Sequence, residues 1–539
     1  MRTLEQRLFF TLFFSLLFST PLFAQDPERK TAMAIRKLGG GVEWRVLRVD
    51  LSRTLVTDAD LKNLRQLPAL QWLSLAQTQI SDKGLKEIGS LPNLQWLDLA
   101  FTPVTGSGLK ELRNLRGLRS LNLSSTKLTD DGTRGLEELK NLRMLNLGDA
   151  EITDKGLHNL RTLKDLGSLD LSYSRISGKG FQKLTDLKKL FVLNLANSEV
   201  NDVGLKDVGN LRSVQLLNLE NTHMTDNGLK ELVNLRDLIS LDLSFNRIIG
   251  TGLKDLAPLK KLKILNLKAT MVTDGDLQGI GLLDSITTLD LEDTKVSDDA
   301  LEYLGNMKGL VSLNLSYTKV TGTGLKNLAA LKHLETLNLQ DSPVNDKGLS
   351  GLENCKQLLA LNLEATNVSD TGLKALGQVK SLRLLNLGHT EVTDAGLRHL
   401  AVHPALQSLS LNNTEVTDAI WPDLANIENL QALNLRYGKV TGKGLKSLGK
   451  LKHLKTLDLS GTTITDETVE DLSELKHLVV LDLHNTAVTD KSLQIIRKLN
   501  DLRSLNVTDT KMNAKTLTQL QKTMPGCQIV FRRAEKNYP

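Results

Sequence analysis

Few residues of this chain have the types and the spacing that chemistry requires. His399 and His403 are four residues apart, and on one face of a helix that spacing is compatible with a zinc site. His403, however, falls at a position that recurs every 24 residues and is normally leucine, and no glutamate stands between the two histidines to act as a general base. The sequence therefore predicts no metal at this pair.

Other catalytic patterns are missing from the sequence. It contains no glycine-rich phosphate loop, no serine at a nucleophile elbow and no cysteine paired with a histidine. Its carboxylates recur in rows along the chain and do not form one singular pair. We therefore predict no enzyme activity and no cofactor.

Outward-facing aromatic and aliphatic residues are stronger candidates for a functional site. Trp72 and Trp96 occupy the same outward strand position 24 residues apart, and Phe101 follows closely. Clustered exposed aromatics are favoured interface anchors, although an N-terminal helix that covers the tryptophans is an alternative. A second apolar patch is predicted on consecutive strands, and it consists of Phe191, Val192, Leu216, Ile239 and Ile264.

A 24-residue repeat positions all of these side chains. Its signature Leu-x-x-Leu-x-Leu is first complete at Leu70, Leu73 and Leu75, and it recurs in nineteen copies, the last of which begins at Leu502. Degenerate copies extend the array over residues 46–531. A fixed period of this length indicates a solenoid, in which each unit buries its apolar face against its neighbours.

Each unit predicts one strand and one short helix. In the first complete copy the leucines alternate with outward residues, as in a strand, and Leu85, Ile88 and Leu91 mark one face of a helix. Parallel stacking of such units predicts an α/β fold. It is a right-handed solenoid of about 20 repeats, shaped as a horseshoe or arc, with strands on the concave face and helices on the convex face.

Charged residues recur at both ends of the predicted helices. A column of aspartates, which includes Asp82 and Asp226, is expected to cap the helix N-termini, and a basic series from Arg116 to Lys260 is expected to stabilise the C-termini. The alternative for the basic series is a stripe that binds an anionic polymer.

Two further polar columns follow the strands. A threonine column that includes Thr78 and Thr102 is expected to hydrogen-bond the backbone at the strand exit. A column of asparagine and aspartate, from Asp98 to Asn266, predicts a ladder of side chains that bond along the stack. The alternative is a polar floor that recognises glycan hydroxyls or a peptide backbone.

A three-repeat rhythm lies over the 24-residue one. Every third repeat replaces the aspartate by glycine and carries an aromatic residue five positions earlier, and the pairs are Phe101 with Gly106, Tyr173 with Gly178, Phe245 with Gly250 and Tyr317 with Gly322. The rhythm lapses at His389 and returns at Tyr437 with Gly442. Duplication of three-repeat blocks explains this pattern. The functional alternative is that aromatics ~14 Å apart each grip one segment of an extended ligand.

The ends of the chain predict export. Arg2 and Arg7 flank an apolar run over residues 8–18, and Ala24 offers a cleavage site, so residues 1–24 predict a signal peptide. Residues 25–45 predict an N-terminal capping helix and loop, 46–525 the solenoid, and 526–539 a terminal edge strand and tail. The apolar run is too short to span a membrane, so we expect a secreted or periplasmic protein without a stable membrane anchor.

Cysteine usage and charge narrow the classes further. Cys355 and Cys527 are about seven repeats apart, or ~34 Å, which excludes a disulfide between them and favours a bacterial envelope protein over a cysteine-capped animal one. The net charge of +6 on 539 residues is too dilute to indicate a nucleic-acid partner.

The unit Leu-x-x-Leu-Asn-Leu-x-x-Thr-x-Val-Thr-Asp-x-Gly-Leu-x-x-Leu resembles the leucine-rich repeat superfamily over residues 46–531. It is most similar to the bacterial form abundant in planctomycetes and to the repeats of F-box substrate adaptors, although the chain has no room for an F-box before Val46 and no wall-sorting tail. The resemblance implies a non-enzymatic scaffold that binds a protein or peptide on its concave face. The alternative is a structural envelope component that self-associates or binds wall glycan. The oligomeric state is not predicted.

Overall fold

The computed structural model describes residues 41–42, 47–401 and 403–531. The chain divides into two compact units, Met1–Glu199 and Val200–Pro539. The predicted signal peptide lies outside the described residues, as does the predicted capping segment except for residues 41–42.

The first unit contains a parallel sheet whose first edge is covered by one antiparallel strand. Strand β1, Gly41–Val42, pairs with β2 so that Gly41 faces Asp50 and Val42 faces Val49. The parallel strands are in register at 24-residue steps. They are β2 Arg48–Asp50, β3 Trp72–Ser74, β4 Trp96–Asp98, β5 Ser120–Asn122, β6 Met144–Asn146, β7 Ser168–Asp170 and β8 Val192–Asn194.

The second unit contains a parallel sheet with the same step. Its strands are β9 Leu216–Asn218, β10 Ser240–Asp242, β11 Ile264–Asn266, β12 Thr288–Asp290, β13 Ser312–Asn314, β14 Thr336–Asn338, β15 Ala360–Asn362, β16 Leu384–Asn386, β17 Ser408–Ser410, β18 Ala432–Asn434, β19 Thr456–Asp458, β20 Val480–Asp482, β21 Ser504–Asn506 and β22 Gln528–Val530. Parallel strands alternating with short helices confirm the predicted α/β repeat fold.

Several helices are shorter than the sequence pattern indicates, since the first α-helix ends at Ile88, before the Leu91 that the pattern placed on the same helix face. The α-helices are α1 Leu85–Ile88, α2 Asp202–Val208, α3 Asp226–Leu229, α4 Ala300–Leu304, α5 Asp346–Leu349, α6 Asp370–Leu376, α7 Asp394–Leu397, α8 Trp421–Leu424, α9 Asp466–Val469, α10 Leu493–Ile496 and α11 Ala514–Thr523.

Most other repeats use a 3₁₀ helix, or add one to a short α-helix. In the first unit these are Asp60–Gln66, Leu109–Asn114, Gly132–Glu138, Gly156–Thr162 and Phe181–Leu184. In the second unit they are Lys230–Asn234, Leu253–Leu256, Gly275–Leu282, Leu325–Ala330, Ser350–Asn354, Asp418–Ile420, Leu445–Lys450, Glu470–Glu474 and Asp490–Ser492.

The core of each unit is a set of leucine columns. Leu70, Leu73, Leu75 and their equivalents are 0–4% exposed, so each repeat hides its apolar face against its neighbours. The threonine column closes the strand exits as predicted: Thr78 Oγ1 donates to the Leu75 carbonyl and Thr102 Oγ1 to the Leu99 carbonyl, both at 2.6 Å.

One histidine interrupts the leucine core. His403 is 2% exposed, and neither ring nitrogen has a hydrogen-bond partner. The prediction that His399 and His403 share a helix is wrong, because α7 ends at Leu397. Burial, reinforced by the charge of Lys380, lowers the pKa of His403 to about 4.

The prediction that the aspartate column caps the helix N-termini is also wrong. In the α-helical repeats with an ordinary N-cap the capping residue lies one position earlier, as Thr225 does when its side chain accepts a hydrogen bond from Asn227 N. The aspartate is the first residue of the helix, and its carboxylate bonds to the next repeat. Asp202, for example, accepts hydrogen bonds from Thr225 N and Thr225 Oγ1, both at 2.7 Å.

The bonds are most numerous where the next repeat carries glycine. Asp298 accepts from Thr321 N (2.9 Å), Thr321 Oγ1 (2.6 Å), Gly322 N (3.0 Å) and Gly324 N (2.7 Å). Gly322 can turn its N–H toward this carboxylate because its φ is +103°, a conformation that L side chains rarely adopt. The backbone then forms a small anion-binding nest around the carboxylate.

Each glycine at this position also interrupts the series of carboxylate hydrogen bonds between repeats, because glycine has no carboxylate that could accept a bond from the following repeat. Gly322 instead packs directly on Gly348, and a Cβ added at Gly322 would lie 2.8 Å from the Gly348 Cα. The five glycine positions, with φ between +88° and +110°, are Gly106, Gly178, Gly250, Gly322 and Gly442. The array is therefore built of blocks that are tied internally by carboxylates.

Some basic residues after the helices contact helix-end carbonyls as predicted, whereas Lys164 and Lys260 pair with Asp186 and Asp284 of the next repeat. Lys188 Nζ donates to the Thr185 carbonyl at 2.7 Å, and Lys308 Nζ to the Gly305 carbonyl at 2.6 Å.

We predict that Asp298→Ala costs ~2–4 kcal/mol of local stability, because three backbone N–H groups and one hydroxyl lose a charged acceptor. Hydrogen exchange should show faster exchange at Thr321, Gly322 and Gly324. The neighbouring Asp299 is exposed and makes no capping bond, so Asp299→Ala is the matched control. Equal protection in both variants would contradict the role of the Asp298 carboxylate.

We also predict that His403 makes stability depend on pH. Its pKa in the folded chain is below the ordinary value of about 6.5, so the unfolded chain binds the proton more readily. The free energy of unfolding should therefore fall as the pH is lowered from about 6.5 to about 4. His403→Leu should remove this slope and raise stability at pH 5 by ~1–3 kcal/mol. The measurement is urea unfolding across this range, with His399→Gln retaining the wild-type slope.

Candidate functional site

The outward-facing side of the strands in the first unit carries a stack of three side chains. Trp72 and Trp96 are directly paired on β3 and β4, and their rings stack with centroids 4.3 Å apart and planes 4° apart. Arg48, which pairs with Trp72 in the ladder, places its guanidinium carbon 3.9 Å from the centroid of that ring. The structure thus brings the two predicted tryptophans together and adds a cation–π contact.

The stack changes what the tryptophans can offer to a partner. Both rings are half-buried, since one face of each is occupied by the other and the second face of Trp72 by Arg48. Arg48 was missed by the sequence analysis, although it lies 24 residues before Trp72 at the same repeat position. The exposed group available for contact is Arg48 together with the ring edges.

The predicted apolar patch is divided between the two compact units. In the first unit Phe191 is 41% exposed and its ring lies over Gly167, where an added Cβ would be 2.9 Å from the ring, while Val192 beside it is half-buried. In the second unit Leu216 and Ile264 flank Ser240 in the ladder.

Ile264 is 42% exposed, and the half-buried Ile239 adjoins Ser240 in sequence. Each unit therefore presents its own part of the predicted patch.

The five aromatic residues of the three-repeat rhythm share an unusual backbone conformation. Phe101, Tyr173, Phe245, Tyr317 and Tyr437 have φ between +54° and +59°, which is the left-handed region that bulky residues seldom occupy. Their exposed fractions are 57%, 64%, 43%, 49% and 45%, in that order. The sequence predicted the aromatic column but gave no sign of its conformation.

The hydrogen bonds at the strand exit explain why this conformation recurs. Asp98 Oδ1 accepts from Ala100 N at 3.0 Å, and Thr102 Oγ1 donates to the Leu99 carbonyl, so Phe101 is held between two fixed residues. The same pair of bonds surrounds the left-handed residue in most repeats, and Asn266 Nδ2 also donates sideways to Asp242 Oδ2 at 3.0 Å. The asparagine and aspartate column therefore serves the fold itself.

The carboxylates in this column are partly desolvated. Burial raises the pKa of Asp98 and of Asp290 against the opposing effect of their hydrogen bonds. Both groups are therefore slightly easier to protonate than an exposed aspartate, yet their oxygens are engaged by the turn and by neighbouring amides.

Two tyrosines of the aromatic column contact the next repeat. The Tyr437 ring lies against Gly461, where an added Cβ would come within 2.1 Å of a ring carbon, and the Arg436 guanidinium carbon is 4.7 Å from the ring centroid. A hydrogen bond to Asp341, followed by burial, raises the pKa of Tyr317. These rings are held in place while much of their surface remains exposed.

Other chemistry finds no support in the described part of the chain. Within residues 41–42, 47–401 and 403–531, no group of three or more His, Cys, Asp or Glu side chains could hold a metal ion. Cys355 and Cys527 are free and buried, and burial raises the pKa of the Cys355 thiol to about 11. No helix in these segments combines the length and the apolar character required to cross a membrane.

Comparison with solved structures finds several similar chains. The chain is 25% identical to a leucine-rich repeat protein of Leptospira interrogans, covering 87% of this chain and 98% of that one with a TM-score of 0.44. It is 18% identical to a chain of the mouse RP105/MD-1 complex, with 89% of each chain covered and a TM-score of 0.61. A plant peptide hormone receptor in complex with RGF2 is 17% identical, with 88% and 92% covered and a TM-score of 0.42.

Comparison with protein families is more direct. No curated protein matches the chain significantly. The model of a leucine-rich repeat region matches residues 168–420 and 247–467, and a second leucine-rich repeat model matches residues 116–136 and 138–160. Together with the stacked strands, buried leucine columns and 24-residue step, these matches show that the chain belongs to the leucine-rich repeat family.

Proposed function

We propose that this protein is an exported, non-enzymatic scaffold that holds a protein or peptide ligand on the outward face of its strands, which is the concave face of the predicted arc. One observation carries the proposal. Five aromatic residues are exposed at a left-handed turn position that the backbone would fill more favourably with asparagine or glycine.

The same turn position shows which residues the fold prefers. Asn197, Asn221, Asn413 and Asn485 occupy it with φ between +48° and +57°, and asparagine tolerates this conformation because its short polar side chain bonds locally. An aromatic residue gains no such bond and exposes apolar surface. Exposed aromatics retained at a cost in backbone strain are typical of binding surfaces.

The arrangement favours an extended ligand. Phe101 and Tyr173 are three repeats apart in the first unit, as are Phe245 and Tyr317 in the second, and three strand spacings amount to ~14 Å. Within the first unit the Arg48, Trp72 and Trp96 stack lies on the neighbouring strands before Phe101. Arginine and tryptophan are enriched among residues that contribute most to binding, so this stack is the expected anchor at one end.

The alternative of a structural envelope component rests on the regular polar and basic columns. The asparagine and aspartate column is engaged by strand-exit turns, and basic residues such as Lys188 and Lys308 bond helix-end carbonyls. Intramolecular bonds therefore engage the polar column and several residues of the basic column, and these bonds do not favour self-association or wall glycan over a discrete ligand.

We predict that Phe101→Asn together with Tyr173→Asn weakens ligand binding by about tenfold or more, which is at least ~1.4 kcal/mol. The same change should leave stability equal or raise it by up to ~1 kcal/mol, because asparagine relieves the left-handed strain. The ligand would be a peptide selected by the full chain from a displayed random library. Its affinity is then measured by calorimetry, and stability by urea unfolding.

Ser125→Asn is the matched control, because Ser125 occupies the same left-handed position with φ of +52° and carries no ring. Trp72→Ala with Trp96→Ala tests the anchor. Undiminished affinity in both double variants would exclude the strand face of the first unit as the binding surface, and failure to select any peptide would argue against a peptide-binding scaffold.

A further inference from the structure

One segment of the second unit departs from the repeat outside the strand face. At the position three residues after the threonine column, nineteen repeats carry serine, threonine or asparagine, and only one carries an apolar residue, Ile249. In other repeats the hydroxyl bonds the preceding aspartate, as Thr225 Oγ1 does with Asp202. Ile249 gives up that bond, keeps only its backbone bond to Asp226 at 2.7 Å, and is 43% exposed.

A second exposed apolar side chain lies directly beside it. Met271 N donates to the Ile248 carbonyl at 2.8 Å, so Met271 adjoins the peptide group that joins Ile248 to Ile249. Met271 is 44% exposed. Phe245, 43% exposed, bonds through its backbone N–H to the Lys268 carbonyl of the same neighbouring repeat. Three exposed apolar residues thus lie on two adjacent repeats that are joined by these backbone bonds, at what we name the exit rim: Phe245, Ile249 and Met271.

The backbone beneath the exit rim is firmly held. Asn246 replaces the usual threonine, is 3% exposed, and accepts from Thr222 N and Thr222 Oγ1, both at 2.9 Å. Its amide nitrogen donates to the Leu219 carbonyl at 2.6 Å and to the Leu243 carbonyl at 3.0 Å. The apolar side chains therefore stand on a rigid support, which lowers the entropy lost on binding.

Unpaired cations flank the apolar residues. Arg247, Lys295 and Lys319 are exposed, share the repeat position of Met271, and have no carboxylate within 4.0 Å among the described residues. The nearby Lys268 is neutralised by Glu292 at 2.7 Å. Asp293 is the exposed carboxylate of the same rim, whereas the half-buried Asp226 and Asp274 are engaged by the backbone N–H groups of Ile249 and Ser297. The exposed cations at this rim therefore outnumber its exposed carboxylates.

We infer that the exit rim is a second docking surface, and that its partner is an acidic protein segment with apolar side chains. Phe245, Ile249 and Met271 would receive the apolar side chains, while Arg247, Lys295 and Lys319 would attract the carboxylates and raise the association rate at low salt. Methionine adapts its shape to different partners, which suits a contact of this kind. The exit rim shares Phe245 with the strand-face proposal, but Ile249 and Met271 lie outside that face, so variants of these two residues test the inference separately.

The test uses the full chain and a short fluorescein-labelled peptide in which glutamate alternates with leucine. Two matched peptides carry lysine in place of glutamate, or serine in place of leucine. We expect the acidic, apolar peptide to bind by fluorescence anisotropy about tenfold or more tightly than either matched peptide, and its binding to weaken as salt is raised.

Ile249→Thr with Met271→Gln should weaken this binding about tenfold. The threonine restores the residue and the aspartate bond that other repeats have, so folding is retained. Arg247→Gln with Lys295→Gln should weaken it and reduce its salt dependence. Val203→Thr, which replaces another exposed apolar residue of the second unit at 65% exposure, should leave the affinity unchanged.

Equal binding of the three peptides, or undiminished binding by the Ile249→Thr with Met271→Gln variant, would overturn the inference. So would a wild-type dimer in sedimentation velocity that this variant abolishes, because the occupant would then be a second copy of the chain. The strand-face aromatics are unchanged in these variants, so failure here is distinguishable from failure of the proposed function.

Discussion

The carboxylate that joins one repeat to the next is the interaction on which the regularity of this fold depends. Leucine columns bury apolar surface, but burial is not directional and leaves repeats free to slide or rotate. The aspartate that most repeats carry near the start of the helix adds a directional contact. It accepts a backbone N–H, and usually a hydroxyl, of the next repeat at 2.5–3.2 Å, as Asp346 does with Ser369. Charged hydrogen bonds of this kind are strong and geometrically specific, so they reinforce the stacking step that the parallel strand ladder also sets.

Glycine modifies this linkage where it replaces the aspartate. Gly106 and Gly322 use left-handed backbone to wrap their N–H groups around the carboxylate of the repeat before, and then offer no carboxylate to the repeat after. The same repeats carry the exposed aromatics Phe101 and Tyr317 at the strand exit. The glycine that ends a block of carboxylate-linked repeats and the exposed aromatic ring thus occur in the same five repeats. This is the outcome expected if blocks of repeats were duplicated as units.

The sequence predicted the fold well because leucine spacing determines it directly. The 24-residue step, the parallel strands and the threonine bonds all follow from that spacing. Helix type and the role of the aspartates did not follow, because both depend on the neighbouring repeat. Asp226 has the sequence position of a helix cap, yet its carboxylate accepts a hydrogen bond from Ile249 N of the next repeat. The Arg48 stack and the left-handed aromatics escaped prediction for the same reason, since a linear pattern does not reveal which side chain stacks on which.

Recognition in such an array must reside in the departures from the repeat. A side chain that every repeat shares is already engaged by the fold, as the Asp98 and Asn266 columns are by turns and neighbouring amides. A departure such as Ile249 lacks a hydrogen bond that its equivalents make. The carboxylate hydrogen bonds between the surrounding repeats are numerous enough to tolerate that loss. Because each repeat contacts only its neighbours, the cost of one departure stays local. The array can therefore carry several separate binding surfaces, some with residues in a strained left-handed conformation and some with exposed apolar side chains, without destabilising the stacked repeats that support them.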